Sequence, residues 1–504
     1  MPASRVQLKN ICVRVALAVG AATLPACGNT VVISGRVQTG DAGRGIDRAA
    51  SDANVSPAGG VRFDEGFNSA RPSLVAAPGK NIKPLSIASD ESGKILIAGS
   101  ISSSSGADFV FPLRDSSQRR DVFIARMMAD GSIDRSFGAD RSGMVTIKVR
   151  NNEQDVDSRA YQVLALADGG AVVVAGYGTS LPPSGPGNFA GLAVARLAVD
   201  GQPAAGFGVN GVALVPCSSG GAFPAGIALS GEKLLVGGTC NNPGSSSPRM
   251  ILRRLSLASG ALDPVTEFPA NDRFILPAAP DVSSVAAYSM VVLRSGEILL
   301  GGSARKGTAT RELAAIQSFE PNGTPGGFSY VGAEGSDDAF VMGLREGAGL
   351  LAMVSARCQV GGDGRACLTS GGGEGRDVVT ILRFPDHRGS ATHCAINGVD
   401  ASDFVPFAMQ VSGNKIFVGG TRKRERAGFT LTHFEVDPSK SRCEDSLKWT
   451  GSSGSGGFFA MDPVGRYEFV RAMVMDGSGG KVIVAGPSYS NGDSAAMTGR
   501  YLVK

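Results

Sequence analysis

The feature that most restricts this chain is a segment that keeps returning. "DGGAVVVAGY" (168–177) joins a tight-turn pair to a run of small apolar residues and a glycine, and "SGKILIAGS", "GEKLLVGGT", "SGEILLGGS", "GNKIFVGGT" and "GGKVIVAGP" repeat it. With the eroded "GLLAMVSA" (349–356), copies fall near residues 94, 171, 233, 297, 350, 415 and 481. Companions travel with each copy: an apolar segment before it ("AYQVLALA", 160–167), one after it ("GLAVARLAVDG", 191–201), then a fourth ("SIDRSFGADRSGMVTIKV", 132–149, echoed at 202–215). Four predicted strands per unit, repeated with no helical periodicity between them, point to an all-β fold: a seven-bladed β-propeller of four-stranded blades. The returning segment takes the second-strand position. A blade covered by neighbours on both faces needs middle strands that are apolar without alternation, as "AVVVAG" and "KILIAG" are.

The two ends of the repeat fit together. The last unit stops at "AAMTGRYLVK" with three strands, while "VRFDEGFNSARPSLVAA" (61–77) carries the fourth-segment pattern of Asp134, Phe137 and Val145. An N-terminal strand is therefore expected to join the C-terminal blade and close the ring, with Asp64 and Phe67 packing there. The propeller is expected over 61–504. Residues 27–60, with Cys27 at their head and a Gly-, Ala-, Ser- and Asp-rich run behind it, read as a flexible tether.

Residues 1–26 read as an export signal. Arg5 and Lys9 precede a short apolar stretch, too short to span a bilayer permanently, and Leu24-Pro25-Ala26-Cys27 resembles the lipobox of bacterial lipoproteins. That resemblance implies lipidation of Cys27, and Gly28 after it implies the outer membrane, facing periplasm or cell surface. The alternative is plain secretion with an unmodified Cys27. Loss of Arg5, Lys9 and Arg14 lowers the formal charge from +4 to +1, which leaves no field to attract nucleic acid. The membrane would be reached through the lipid.

Export agrees with the cysteines. Besides Cys12 and Cys27 there are Cys217, Cys240, Cys358, Cys367, Cys394 and Cys443, an even set that suggests disulfides. Cys358 and Cys367 bracket one loop, Cys217 and Cys240 fall on one face of adjacent blades, and Cys394 with Cys443 remain by elimination. No CxxC or His spacing suits zinc.

"DGSIDRSFG" (130–138), "ILIAG" and "FIARMMADG" together resemble the delta-60 repeat family of bacterial β-propellers, strongly in the first two units and faintly after residue 320. The resemblance implies a secreted or surface propeller and brings no catalytic residues with it.

Candidate chemistry is sparse. "DGSID" (130–134) has alternating oxygens but lacks the further acids of a calcium loop, and reads as a turn. "MDGSGGK" (475–481) and "GGGEG" (371–375) match neither a nucleophile elbow nor a phosphate loop, and His387, His393 and His433 have no visible nucleophile beside them. Arg422, Lys423, Arg424 and Arg426 form a basic loop that could meet an anion; with no interleaved aromatic residues it reads as a solvated hairpin tip. Trp449 is the single tryptophan. Propeller topology sends the long, dissimilar loops at 101–120, 178–190, 240–248, 356–376, 422–427 and 488–494 to one face, opposite the short Asp-Gly and Ser-Gly turns. The expected function is an envelope-anchored, non-enzymatic, monomeric binding or scaffold protein presenting that face to a protein or glycan, with no cofactor. The alternative is a polysaccharide-directed hydrolase or lyase at the propeller mouth, signalled by acids and a His converging there.

Overall fold

The computed structural model describes residues 61–503, apart from 70, 78, 104–118, 179–188, 359–377, 384–391, 396–403, 423–429, 438–446, 450–458, 461–466 and several shorter stretches. The expectations for residues 1–60, including the signal segment, Cys27 and the linker, lie outside the described residues. Among the described residues the chain is all-β, with one 3-10 turn at Pro269–Asp272 and no helix long and apolar enough to cross a membrane.

Antiparallel sheets follow one another along the chain. In the second unit, Asp157–Ala165, Ala171–Gly178, Gly191–Leu197 and Val212–Pro216 pair in chain order. The same order recurs in Val282–Val292, Ile298–Lys306, Leu313–Phe319 and Pro325–Tyr330, and in Asp338–Gly347, Leu350–Cys358, Val378–Arg383 and Thr392–Ala395. It recurs again in Phe404–Ser412, Lys415–Arg422, Thr430–Val436 and Leu447–Trp449. Lys80–Ser89, Ile95–Ser103, Asp121–Met127 and Met144–Ile147 form the first unit. In the fragment "SIDRSFGADRSG" the backbone makes turns rather than strand, so the fourth strand of this unit is short.

Burial explains the recurring segment. All eight residues of Ala171–Gly178 are buried. Val173 packs with Leu96 and Ile124 of the preceding unit, while Val172 and Val174 pack with Leu234, Val236 and Ile251 of the following one. A strand loaded from both faces cannot alternate.

The third unit has three described strands, Phe223–Ser230, Lys233–Asn241 and Pro248–Ser256. Where its fourth is expected, Ile275 makes an antiparallel bridge to Met250, beside residues outside the described set. One expectation needs correction. Residues 488–494, read as a long loop, are mostly strand: Lys481–Ser490 and Asp493–Val503 pair, with Ser490 directly opposite Asp493.

At the C-terminal sheet, Val61–Phe63 lies antiparallel to Asp493–Val503, with Val61 opposite Val503 and Phe63 opposite Tyr501. Ser73–Val75 continues along the same strand, with Val75 opposite Ala496.

First strands of successive units lie against one another, and each of the first six carries a β-bulge at the same register. The extra residue is Leu85, Tyr161, Ala225, Tyr288, Met342 or Phe407. A first strand is a sheet edge, so some of its N–H groups point away from its own ladder. Oxygens of the preceding unit accept them: Ser86 Oγ from Val163 N at 3.0 Å, Gln162 Oε1 from Ile227 N at 2.9 Å and Ser289 Oγ from Leu344 N at 2.9 Å. Gln410 Nε2 donates to Met473 O at 2.7 Å, and Ser89 Oγ donates to Met475 O at 3.2 Å.

Candidate functional site

Antiparallel order gives the fold two unlike ends. One end collects the turns between first and second strands and between third and fourth strands. The other collects the connections from second to third strands and from one unit to the next.

The short-turn end is occupied by a repeated latch. Arg126, on the third strand of the first unit, donates from Nε to Asp134 Oδ2 at 2.8 Å, and Lys94 Nζ reaches the same oxygen at 3.0 Å. Arg126 Nη1 crosses to the next unit, donating to Val199 O at 2.6 Å and Gly169 O at 3.1 Å, and the guanidinium lies 4.5 Å over the Phe137 ring. The third unit repeats this with Arg254 and Lys233 on Asp263, each at 2.6 Å, and Arg254 over Phe268. In the second unit Arg196 Nη1 still crosses to Leu257 O at 2.9 Å, although Ala204 stands where the carboxylate would be.

Asp64 and Phe67 complete this latch from the N-terminal segment. Arg500 Nε donates to Asp64 Oδ2 at 2.7 Å, Lys481 Nζ lies 3.0 Å from it, and Arg500 covers Phe67 at 5.0 Å while bonding Ala129 O of the first unit. Phe67 is fully buried against Gly131, where a Cβ would come within 2.7 Å of the ring and φ is +84°. Only glycine fits that turn.

Burial pushes Asp64, Asp134 and Asp263 toward the neutral acid, yet hydrogen bonds and the facing cations outweigh it and hold all three below the usual carboxylate range. These groups stay ionised as structural anions. "DGSID" is a turn: Ser132 donates from N and Oγ to Asp130 Oδ1 at 2.8 and 2.6 Å.

The loop-bearing end differs. Rings on consecutive first strands meet edge to face: Tyr161 with Phe223 at 4.8 Å, Phe223 with Tyr288 at 5.5 Å and Tyr288 with Phe340 at 6.1 Å. Phe189, just before a third strand, adds to the row against Tyr161 at 6.2 Å. The row starts at the loop-bearing end with Phe223, the first residue of its strand. Tyr161, Phe223 and Tyr288 are half-buried, while Phe189 and Phe340 are buried behind them. Near this end of the first unit, Arg120 is buried in a bidentate pair with Asp157, at 2.9 Å from Nε and 2.5 Å from Nη2. Arg119, Lys148 and Arg150 surround Asp155, and the hydrogen bonds and charges of Arg150 and Lys148, Arg150 foremost, lower its pKa. Burial raises the pKa of Asp121 beside them.

Cys217 and Cys240 form a disulfide with Cα atoms 5.6 Å apart, tying the second unit to the third at the loop-bearing end. Cys240 lies inside the strand Lys233–Asn241. Cys358 and Cys394 belong to strands whose side chains at those positions are outside the description, and Cys367 and Cys443 lie outside the described residues. Arg422 ends a strand; its side chain, together with Lys423, Arg424 and Arg426, is also outside. His433 is buried and stacked on Phe417 at 5.7 Å, and burial lowers its pKa. Among the described residues no cluster of His, Cys, Asp or Glu could hold a metal ion.

Sequence reasoning missed the aromatic row and the role of the third-strand arginines. "IAR", "VAR" and "LRR" were visible at matching positions, but their partners belong to other segments and other units.

No protein-family model matches the chain, and no curated protein matches it. Solved structures to which the chain is similar include a protein of unknown function from Dyadobacter fermentans, 11% identical over 88% of this chain and 100% of that one, with a TM-score of 0.42. A candidate 6-phosphogluconolactonase from Bacteroides uniformis is 15% identical over 75% of this chain and 89% of its own, at 0.40. A Trypanosoma rangeli sialidase is 10% identical over 88% of this chain and 57% of its own, at 0.36. Likeness at this level transfers neither substrate nor activity.

Proposed function

We propose that the chain is a seven-bladed β-propeller, closed by its N-terminal segment, which binds a protein or glycan at its loop-bearing end without catalysing a reaction. It would be held at the outer membrane by lipid on Cys27 and work as a monomer. The delta-60 resemblance, the recurring four-strand order and the N-terminal strands alongside Asp493–Val503 support the architecture.

The observation that carries the binding reading is the chemical inequality of the two ends. At the short-turn end Arg126, Arg254 and Arg500 and the carboxylates they hold are committed to the latch. Toward the other end lies a row of half-buried rings, a surface able to stack on a sugar or accept an apolar side chain, beneath the connections that vary most from unit to unit.

The test pairs Tyr161→Ala/Tyr288→Ala with Thr324→Ala, an exposed turn position at the opposite end. Capture of envelope proteins and of purified peptidoglycan and surface polysaccharide is measured beside thermal unfolding. The aromatic variant should lose capture by about tenfold or more, in the range of interface hot spots, while remaining folded, and Thr324→Ala should retain it. Equal capture by both variants would overturn the site. Release of shortened chains from a polysaccharide would overturn the non-enzymatic reading and favour the hydrolase or lyase.

A further inference from the structure

We infer that the segment leading back to the anchor leaves the fold at the short-turn end, so that the loop-bearing end faces away from the bilayer and meets its partner on the membrane-distal side. This rests on the anchored binding reading above and adds a direction to it.

The strand register carries the inference. Asp493 lies opposite Ser490, across the connection from second to third strand, which places it at the loop-bearing end. Val503, at the other terminus of that strand, therefore marks the short-turn end. Val61 pairs with Val503, Phe63 with Tyr501 and Val75 with Ala496, so the chain travels from the short-turn end at residue 61 toward the loop-bearing end at residue 75. Three further contacts pin the start of this path. Asp64 is held by Lys481, the first residue of its strand after the turn from Ala472–Met475. Arg500 grips the same carboxylate from the third strand. Phe67 fills the space under Gly131, in the turn after Asp121–Met127.

Whatever path residues 28–60 take, they join the described fold at this end. A lipid at Cys27 then pulls on the face that carries the latches. The row of Tyr161, Phe223 and Tyr288 and the variable connections lie at or toward the far side, which disfavours the anchoring leaflet itself as the partner and favours a macromolecule standing off from it.

The test places the full mature chain on vesicles containing acceptor-labelled lipid. A donor fluorophore is introduced by bioorthogonal chemistry either at Ser103, exposed at the loop-bearing end, or at Thr324, exposed at the short-turn end. Energy transfer from Thr324 should exceed that from Ser103, and deletion of residues 33–52 should widen the difference while leaving partner capture intact. Equal or reversed transfer, or loss of capture on shortening, would overturn the orientation. A second arm attaches the chain from residue 28 through an N-terminal histidine tag to nickel-chelating lipid. This reads the exit end whether or not Cys27 is lipidated. Failure of the natural chain to float with vesicles, with the tagged arm still ordered, would reject the anchor and leave the exit geometry standing.

Discussion

Arg126, Arg254 and Arg500 each hold a carboxylate, a backbone carbonyl and the face of a phenylalanine. A planar fork of donors over an aromatic ring suits this combination, and an ammonium does not. Arg126→Ala should cost about 3 kcal/mol in chemical denaturation, because the buried Asp134 carboxylate keeps Lys94 as its facing cation and the Ser136 hydrogen bonds but loses the guanidinium, and Phe137 loses its cover. Arg126→Lys should recover only part of that. At the same register the sixth unit has His433, paired in the ladder through Phe417 and stacked on it. Its lowered pKa means the folded chain binds fewer protons there than the unfolded chain. Its contribution is therefore complete above the ordinary histidine pKa of about 6.5 and is lost as pH falls below it. Denaturation of His433→Phe between pH 7.5 and pH 5 should show a shallower loss of stability than the parent chain; an unchanged slope would reject this role. These partnerships were invisible in the sequence because each joins residues from separate strands, and the register that aligns them depends on bulges that no local pattern announces.

At the scale of elements, the second strands were the most legible, because burial on both faces imposes a composition that survives repetition. The path of the N-terminal segment was legible too, through Asp64 and Phe67 in the spacing of Asp134 and Phe137. The short connection between Ser490 and Asp493 could have been suspected from Asn491-Gly492, a strong hairpin pair. The aromatic row was not legible, since Tyr161, Phe223 and Tyr288 occupy different local settings and meet only when first strands pack. If the N-terminal segment is a true strand of the C-terminal sheet, removing residues 61–77 should lower the melting temperature sharply, and a peptide of that sequence added in trans should restore part of it. Asp64→Asn/Phe67→Ala should reproduce the loss without shortening the chain. A truncated chain that melts as the parent does would show that the segment is an accessory. Reducing Cys217–Cys240, which closes a sequence separation of 23, should cost about 3 kcal/mol on the chain-entropy model, read as a shift between oxidised and reduced denaturation curves.

Across the whole molecule, the latches are unevenly distributed. The arginine register is filled in the C-terminal sheet by Arg500 and in the first three units by Arg126, Arg196 and Arg254; the fourth, fifth and sixth have Ser318, Ile381 and His433. The arginine-bearing arc thus spans the place where Val61–Phe63 pairs with Asp493–Val503. Among the described residues of the remaining arc, apolar packing is joined by the first-strand hydrogen bonds of Ser289 and Gln410 and by the ion pairs Arg305–Glu312 and Lys415–Glu435. Local opening should follow this division. Hydrogen exchange at neutral pH should be slower in Ile95–Ser103, Ala171–Gly178 and Lys481–Ser490 than in Ile298–Lys306, Leu350–Cys358 and Lys415–Arg422, although all are second strands of the same design. Acid should narrow the contrast. Asp64, Asp134 and Asp263 have folded pKa values below their unfolded ones, so their stabilisation is complete above about pH 4 and is lost as pH falls through the lowered values. The arginine-bearing arc should therefore lose protection first as pH drops toward 2. Uniform exchange around the molecule at neutral pH, or acid loosening both arcs in step, would mean that packing alone sets the stability of each sheet.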